Sequence, residues 1–184
     1  MIEAITAFDH SLLETLYASR DPGLIQILEW LTIFGSWWVV YGLAFCVVVL
    51  LFLRKRFAYA IGLVISVASC GILLLISKGL VARVRPPIEF QAFPEAWYSF
   101  PSAHAALSVA LYGFLLIVLW HSRNRTANEY VTLLAGGVLI FLIAFSRLYL
   151  GVHYASDVVA GLLLGGLCVW LGWKYAKIAH NGNT

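Results

Sequence analysis

Five long apolar stretches constrain this chain more than any other feature of its sequence. An α-helix needs about 20 apolar residues to cross the hydrocarbon core of a bilayer, and each stretch is close to that length. A bilayer leaves no water to pair with backbone groups, so segments of this kind cross it as helices. The sequence therefore predicts an all-α fold, a polytopic transmembrane helix bundle in which one domain covers residues 1–184. The five stretches are residues 35–53, 57–78, 104–121, 130–147 and 154–173.

The composition excludes a water-soluble globular domain. Hydrophobic residues make up 62% of the chain, charged residues make up 11%, and the mean hydropathy is +0.89. Typical globular proteins carry about 25% charged residues, so this chain has too little polar surface for water. A net charge of +3 without a long basic run gives no indication of nucleic-acid binding. The cysteines Cys46, Cys70 and Cys168 lie in apolar stretches without metal-ligand spacing, which argues against a disulfide framework or a zinc site.

The N-terminal residues 1–22 predict an amphipathic helix that lies at the membrane interface. Apolar side chains recur there at helical spacing, but Glu3, Asp9 and other charged residues interrupt any run long enough for a signal peptide. Residues 24–34 are too short to cross a bilayer alone. They form either a second interfacial helix or the start of a long first span that breaks at Gly35-Ser36. The chain then has five clear spans plus this N-terminal region, or six spans if the region is counted.

Basic residues predict which ends of the spans face the cytoplasm, because lysine and arginine near span ends are retained on that side. Seven of the twelve lysines and arginines follow the first, third and fifth spans, which places them all on one face. The connections at about 79–103 and 148–153 then face outward, to the periplasm or exterior, from the inner (plasma) membrane. The seven residues are Arg54, Lys55, Arg56, Arg123, Arg125, Lys174 and Lys177.

The outward ends of the spans carry a cluster of ionisable residues. Snorkelling anchors would explain one or two cations at a span end, but not two histidines and a carboxylate at the same depth. Ionisable groups near the hydrocarbon boundary are costly unless they are paired or solvated, so they indicate a functional site. The cluster consists of Lys78, Arg83, Arg85, Arg147, His104, His153 and Asp157.

The spacing of Lys78 and Arg85 and the residues before the third span together predict an anion site. Lys78 and Arg85 are seven residues apart, so they share one face if their helix continues to Pro86-Pro87. Pro101-Ser102 directly precedes the third span, and proline before a serine N-cap is typical of a helix start. The free backbone N–H groups of such a start attract anions.

The spacing of His153 and Asp157 predicts a nucleophile. His153 and Asp157 are four residues apart, which predicts neighbours on one helical face. A carboxylate there holds one imidazole nitrogen protonated and leaves the other free to attack. Arginine and lysine neutralise a phosphate monoester, which carries about −1.5 to −2 charges. Glu89 and Glu95 are interpreted as solvated loop residues. The predicted chemistry is metal-free phosphoryl transfer through a phosphohistidine, with no cofactor.

Three motifs in this region resemble those of the type-2 phosphatidic acid phosphatases. The motifs span residues 78–157 and read Lys78-x6-Arg85-Pro86, Pro101-Ser102-Ala103-His104 and Ser146-Arg147-x5-His153-x3-Asp157. The resemblance implies that His153 attacks phosphorus, that Asp157 orients it and that His104 protonates the leaving oxygen. It also implies that phosphate is held by Lys78, Arg85, Ser102 and Arg147 and by the backbone N–H groups of Ala103 and His104.

Ala103 departs from the family pattern, which commonly has glycine at this position. If glycine serves there to offer its N–H group, alanine replaces it without loss. If glycine is needed for a positive φ, alanine is strained. We expect the first case, because the position opens a helix.

The likeness extends to the phosphatidylglycerophosphatase B class, and it implies a phosphatase of lipid phosphates or diphosphates. The substrates that it implies are phosphatidylglycerol phosphate, phosphatidic acid and undecaprenyl diphosphate. A membrane lipid phosphate and the bilayer are therefore the expected partners, and the sequence predicts no oligomeric state. A phosphotransferase that passes the group to another lipid needs the same first half-reaction, so it stays an alternative. A small transporter is disfavoured, because the middles of the spans are almost purely apolar.

Overall fold

The computed structural model describes residues 2–121 and 127–181, and seven helices with no strand account for most of them. One π-helical turn, Val109–Gly113, lies within the fifth helix, and 3-10 turns lie at Ile33–Gly35 and Ile88–Phe90. The all-α prediction is confirmed. The helices are α1 (Ile2–Ala18), α2 (Pro22–Thr32), α3 (Trp37–Leu53), α4 (Phe57–Val81), α5 (Ala103–Trp120), α6 (Ala127–Tyr149) and α7 (Ala155–Asn181).

The helices α4, α5, α6 and α7 are each long and apolar enough to cross a membrane. A fifth crossing results if Pro22–Gly35 and α3 are counted as one span with a 44° bend. The bend falls at the Gly35-Ser36 break that the sequence suggests. The polytopic bundle is confirmed, with four spans, or five if the bent pair is counted, among the described residues. Arg123 and Arg125, which are predicted from the sequence to face the cytoplasm, lie outside the described residues.

One end of the bundle, called the site end below, is where α4 and α6 finish and α5 and α7 begin. Helix α2 packs on this end, because Leu28 is buried in a cluster with Tyr149, Leu150 and Val152. The corner before α2 is attached to the same place, since Nε of Arg20 donates to the carbonyl of Tyr149 at 2.7 Å. These two contacts fix helix α2 against the site end of α6.

Helix α1 also packs on the site end, against α6 and α7. Its inward face includes Leu13 and the carboxylate of Asp9, which are both buried, whereas Phe8 is exposed. The charged residue that interrupts the apolar pattern of this helix therefore points into the protein.

Glycines set the closest helix contacts in the bundle. Helices α4 and α7 meet backbone to backbone, because a Cβ atom added to Gly172 would lie 2.3 Å from the carbonyl oxygen of Gly62. On the same helix, a Cβ atom added to Gly161 would lie 2.6 Å from the carbonyl oxygen of Ser102. Small residues permit such approach between membrane helices. It allows the N–H of Ser102 to donate to the carbonyl of Asp157 at 3.0 Å, which joins the starts of α5 and α7.

We expect Gly172→Ala to destabilise the bundle, because its methyl group would overlap the backbone of α4 at Gly62. Overpacking of this kind costs about 1–3 kcal/mol. Alanine is the better helix former by roughly 1 kcal/mol, so a loss of stability would oppose helix propensity. The measurement is the midpoint of thermal unfolding in detergent.

Gly166→Ala is the matched control, since it makes the same change on the same helix with no atom within 4 Å of the new Cβ. This control should keep or raise the unfolding midpoint. Equal midpoints for the two variants would show that the glycine contact does not limit the approach of α4 and α7.

Candidate active site

The helix that carries the start of the first motif ends earlier than the sequence suggests. Helix α4 ends at Val81, and Ala82 takes a left-handed conformation with a φ of 46°. A residue in this conformation commonly terminates a helix. The prediction that Lys78 and Arg85 share one face of a continuous helix is therefore wrong. Lys78 instead reaches the site from the last turn of α4 and Arg85 from the loop behind it.

His153 lies just before α7, which begins at Ala155, so the predicted shared helical face with Asp157 is also wrong. The turn that starts α7 nevertheless brings the two together, with Nδ1 of His153 3.5 Å from Oδ2 of Asp157. The other ring nitrogen, Nε2, lies 3.2 Å from Nη1 of Arg85. Arginine can only donate, so Nε2 carries the lone pair and Nδ1 carries the proton. The ring therefore has the tautomer in which Nε2 is unprotonated and accepts from Arg85.

Asp157 is completely buried, and both of its oxygens accept hydrogen bonds. Oδ2 accepts from the hydroxyl of Ser99 at 2.5 Å and from the N–H of Tyr154 at 2.9 Å. Oδ1 accepts from Nη1 of Arg83 at 2.6 Å. The hydroxyl of Ser99 also lies 3.2 Å from Nδ1 of His153. The carboxylate is thus fixed by residues that follow α4, precede α5 and precede α7.

The imidazole of His153 is buried, and this decides its charge. Burial lowers the pKa of His153 to about 4; the neighbouring carboxylate of Asp157 opposes the shift, and the positive charges of Arg147 and Arg85 add to it. At neutral pH the ring is therefore uncharged. A nitrogen that attacks phosphorus needs this form, because its lone pair has to be free.

The second motif opens a helix, as its sequence suggests. Ser102 has an extended backbone at the cap position, and α5 begins at Ala103. Ala103 is not among the residues with positive φ, so alanine is unstrained at the position where the family commonly has glycine. The first backbone N–H groups of α5 therefore point away from the helix at the site end, where an anion could bind them.

Two buried polar atoms of the predicted phosphate site have no hydrogen-bond partner. Within residues 2–121 and 127–181, only Oγ of Ser102, Nε of Arg147 and Nη2 of Arg20 are buried side-chain atoms of this kind. Buried polar groups are nearly always paired in proteins. Ser102 and Arg147 thus retain donors for a bound group.

The loop before α5 binds two of the predicted phosphate ligands through its carbonyl oxygens. Nζ of Lys78 donates to the carbonyl of Tyr98. Arg85 donates from Nε to the carbonyl of Trp97 at 3.0 Å and from Nη2 to that of Ala96 at 3.1 Å. Both cations are therefore held by carbonyl oxygens of this loop.

Glu95, in the same loop, is not the solvated residue that its sequence position suggests. Its carboxylate pairs with Nη2 of Arg147 and lies 3.4 Å from Nη2 of Arg85. Burial would raise the pKa of Glu95, but the charges of Arg147 and Arg85 outweigh it and hold the pKa below its usual value. A negative group thus already bridges the two arginines that the motifs assign to phosphate.

A cavity of about 730 Å³ lies between α3, α4 and α5 and begins at these charged groups. Its wall continues along α4 from Lys78 to Ala68, a depth of about 15 Å at the rise of an α-helix. Trp37, Ile72 and Leu75 line it and are 51–65% exposed on the outer face of the bundle. The cavity therefore has a polar end, an apolar length and a side that opens between helices.

All of the predicted site residues lie at the site end, although they do not all reach the cavity. The cavity wall includes Lys78, Arg85, Ala103, His104 and His153, and the residues behind it are Ser102, Arg147 and Asp157. In the part of the chain that the structure describes, no three His, Cys, Asp or Glu side chains are grouped as metal ligands.

Four further residues contribute to the site and were not assigned to it from the sequence, namely Asp9, Glu95, Ser99 and Ser156. They are distant from their partners along the chain, so no local spacing indicates them. Asp9, for example, bonds Ser156 across 147 positions. The one available signal was the carboxylate of Asp9 within an apolar helical stripe.

The sequence model of the PAP2 superfamily matches residues 57–180, a range that contains all three motifs. A lipid A 4′-phosphatase of Bacteroides thetaiotaomicron is 34% identical over 113 residues, which are 56% of this chain and 45% of that protein. An undecaprenyl-diphosphatase of Sulfolobus acidocaldarius is 32% identical over 138 residues, which are 72% of this chain and 61% of that protein. The chain thus spans about half to three fifths of the length of these relatives.

The fold is also that of a solved structure. A transmembrane PAP2-type phosphatidylglycerolphosphate phosphatase from Bacillus subtilis matches 95% of this chain and 87% of its own chain, with a TM-score of 0.84. The sequence identity is 24%, so this likeness shows the shared fold.

We expect Glu95→Gln to bind an inorganic oxyanion such as vanadate more tightly than the wild type, because the anion no longer competes with a carboxylate for Arg147 and Arg85. A partly exposed ion pair contributes up to about 1 kcal/mol, so the Kd should fall roughly fivefold. Isothermal titration calorimetry in detergent measures this change.

Glu89→Gln removes the same charge from an exposed position of the same loop and should leave the Kd for vanadate unchanged. Weaker binding by Glu95→Gln would show that Glu95 supports the anion site and does not compete for it.

Proposed function

Because the chain belongs to the PAP2 superfamily, we propose that it is a membrane phosphatase of lipid phosphates or diphosphates that acts through a phosphohistidine at His153. The observation that carries the proposal is the state of His153. Its ring is neutral, Nδ1 faces Asp157, and the lone pair of Nε2 lies beside Arg85 at the polar end of the cavity. This is the arrangement that a nucleophilic imidazole requires.

The phosphate group is proposed to bind at the polar end of the cavity. Arg85 and Arg147 exchange Glu95 and the loop carbonyls for phosphate oxygens, and Lys78 adds a third positive charge. The hydroxyl of Ser102 and the first N–H groups of α5 complete the site. Charge-assisted bonds from arginine are strong and directional, so they orient the phosphorus towards Nε2 of His153.

In the first step, Nε2 of His153 attacks phosphorus, and the bond between phosphorus and the leaving oxygen breaks as the N–P bond forms. The negative charge of the bound phosphate favours the protonated form of His104, which gives its proton to that oxygen. A monoester then leaves as an alcohol and a diphosphate leaves as a monophosphate. In the second step, His104 takes a proton from water, and the resulting hydroxide attacks phosphorus. The N–P bond breaks, inorganic phosphate leaves, and both histidines return to their starting forms.

Asp157 stabilises the intermediate in this mechanism. Phosphorylation of Nε2 makes the imidazole ring positively charged, and the carboxylate at Nδ1 lies where it balances that charge. It also holds the proton on Nδ1 before the reaction, which keeps Nε2 free. The aspartate of a serine protease acts on its histidine in the same two ways.

The cavity supports a lipid as the substrate. Its apolar length would hold the first part of a hydrocarbon tail, while the opening between helices keeps the rest of the tail in the membrane. Trp97 and Tyr98 are exposed on the loop above the site and suit the headgroup zone. The relatives' names point to lipid A, undecaprenyl diphosphate and phosphatidylglycerol phosphate, and phosphatidic acid has the same reactive group. The proposed selectivity is broad, because the wall beyond the polar end is lined mainly by apolar side chains.

The site is proposed to face the periplasm or exterior from the plasma membrane. The argument is electrostatic, because basic clusters directly follow the spans at the opposite end of the bundle. Arg54, Lys55 and Arg56 follow α3, and Lys174 and Lys177 lie in the last turns of α7.

Purified protein should release inorganic phosphate from phosphatidic acid and undecaprenyl diphosphate in the presence of EDTA, and vanadate should inhibit it. His153→Ala should abolish release and the phosphoenzyme. The kcat of His104→Ala should fall about 10²–10⁴-fold, because this variant lacks the general acid. Asp157→Asn should be severely slowed, because the tautomer of His153 is no longer held.

His121→Ala is the control, since it removes an exposed histidine at the opposite end of the bundle. The amount of inorganic phosphate released distinguishes the two enzyme reactions, because hydrolysis releases it and transfer to a second lipid does not. A short water-soluble phosphate ester should have a much lower kcat/KM than the lipids. Turnover by His153→Ala, or activity that EDTA removes and Mg²⁺ restores, would contradict the mechanism.

The membrane orientation is tested with single cysteines in a Cys-less protein in intact cells. Glu89→Cys, at the site end, should react with an impermeant thiol reagent, whereas Lys55→Cys should react only after the cells are opened. The reverse pattern would place the site in the cytoplasm.

A further inference from the structure

Asp9 of α1 is 1% exposed and binds two segments of the site end. Its Oδ2 accepts from Nη2 of Arg83 at 2.8 Å and also from the hydroxyl of Ser156. Its Oδ1 accepts from the N–H of Ser156 at 2.9 Å. One carboxylate thus connects α1 to the loop after α4 and to the first turn of α7.

Arg83 lies between Asp9 and the carboxylate that orients His153. Its Nη2 binds Asp9, and its Nη1 binds Oδ1 of Asp157 at 2.6 Å and the hydroxyl of Ser156 at 2.7 Å. The guanidinium carbon also lies 4.3 Å from the centre of the Tyr154 ring. The position of Arg83 is therefore determined on both sides by negative groups.

The net charge of Asp9, Arg83 and Asp157 together decides how well Asp157 can stabilise a positive charge on His153. Asp157 stabilises the positively charged ring of a phosphohistidine only if its own negative charge is not cancelled. Arg83, in direct contact, would cancel it. Asp9, Arg83 and Asp157 together carry a formal charge of −1, but without Asp9 the group would be neutral. Charges in a poorly solvated region are weakly screened, so this difference reaches His153.

We infer that Asp9 is a positioning residue of the reaction, which offsets the charge of Arg83 and so keeps Asp9, Arg83 and Asp157 together negatively charged behind His153. The inference rests on the proposed phosphohistidine mechanism. Asp9 does not line the cavity, so its effect passes through Arg83 and Asp157 and not through contact with substrate.

Asp9→Asn should lower kcat for phosphatidic acid roughly 10- to 100-fold and change KM by less than about twofold, since it acts on the reacting state and not on substrate binding. The accumulation of phosphoenzyme after mixing should slow by the same factor. Glu14→Gln makes the same change on the exposed face of α1 and should leave both quantities unchanged.

The double variant Asp9→Asn with Arg83→Gln separates the charge effect from a structural one. It returns the group to a charge of −1, so its kcat should exceed that of Asp9→Asn at least about fivefold, a non-additivity expected for coupled neighbours. If Asp9 only anchors α1, the double variant loses a further contact and is no faster than Asp9→Asn. That result, or wild-type kcat in Asp9→Asn, overturns the inference.

Asp9→Glu keeps the charge and decides the question if Asp9→Asn does not fold, with the unfolding midpoint measured for each variant. Its kcat should stay within about threefold of the wild type, and a tenfold loss at an unchanged midpoint would overturn the inference. Failure of the proposed function gives a different result, because then the wild type itself releases no phosphate and forms no phosphoenzyme.

Discussion

Burying a carboxylate at the end of a membrane bundle is costly unless other groups pair with it, and this requirement organises the ends of α4, α5 and α7 around Asp157. Arg83 reaches it from the loop after α4, and Ser99 reaches it from the loop before α5. Its own carbonyl accepts from Ser102 at the start of α5. Removing one partner of a buried charge typically costs roughly 3–5 kcal/mol, so these segments cannot move independently. The position of His153 follows from this arrangement.

The same requirement explains why several cations can be close together at the site end without a bound anion. Arg85 and Arg147 share Glu95, while Lys78 and Arg85 use carbonyl oxygens of the neighbouring loop. These three cations are therefore paired within the chain, whereas Nε of Arg147 and the hydroxyl of Ser102 have no partner. Where the proposed phosphate group would replace such a bond, it gains affinity only by the difference between the two bonds, which favours ligands with more than one negative charge.

The spans and the motif residues could be predicted from the sequence, because hydropathy and fixed gaps are local properties of the chain. Two helix boundaries near the site could not, since α4 stops at a left-handed alanine and α7 starts after His153. The periodicity of apolar residues does not show where a helix ends because tertiary hydrogen bonds replace its own. Asp9 and Glu95 could not be placed for a related reason, because their partners are distant in sequence and meet them only in the folded bundle.

The side opening of the cavity bears on how the proposed lipid substrate would reach the site. A lipid whose tails stay in the bilayer arrives by diffusion in two dimensions, and the bulk water holds almost none of it. The quantity that sets the rate is then the fraction of lipid molecules in the membrane that carry the reactive phosphate. Adding unreactive lipid or detergent lowers that fraction at a constant molar amount of substrate. Saturation of the site is therefore described by a surface mole fraction, and a value in moles per litre has meaning only for a stated amount of membrane.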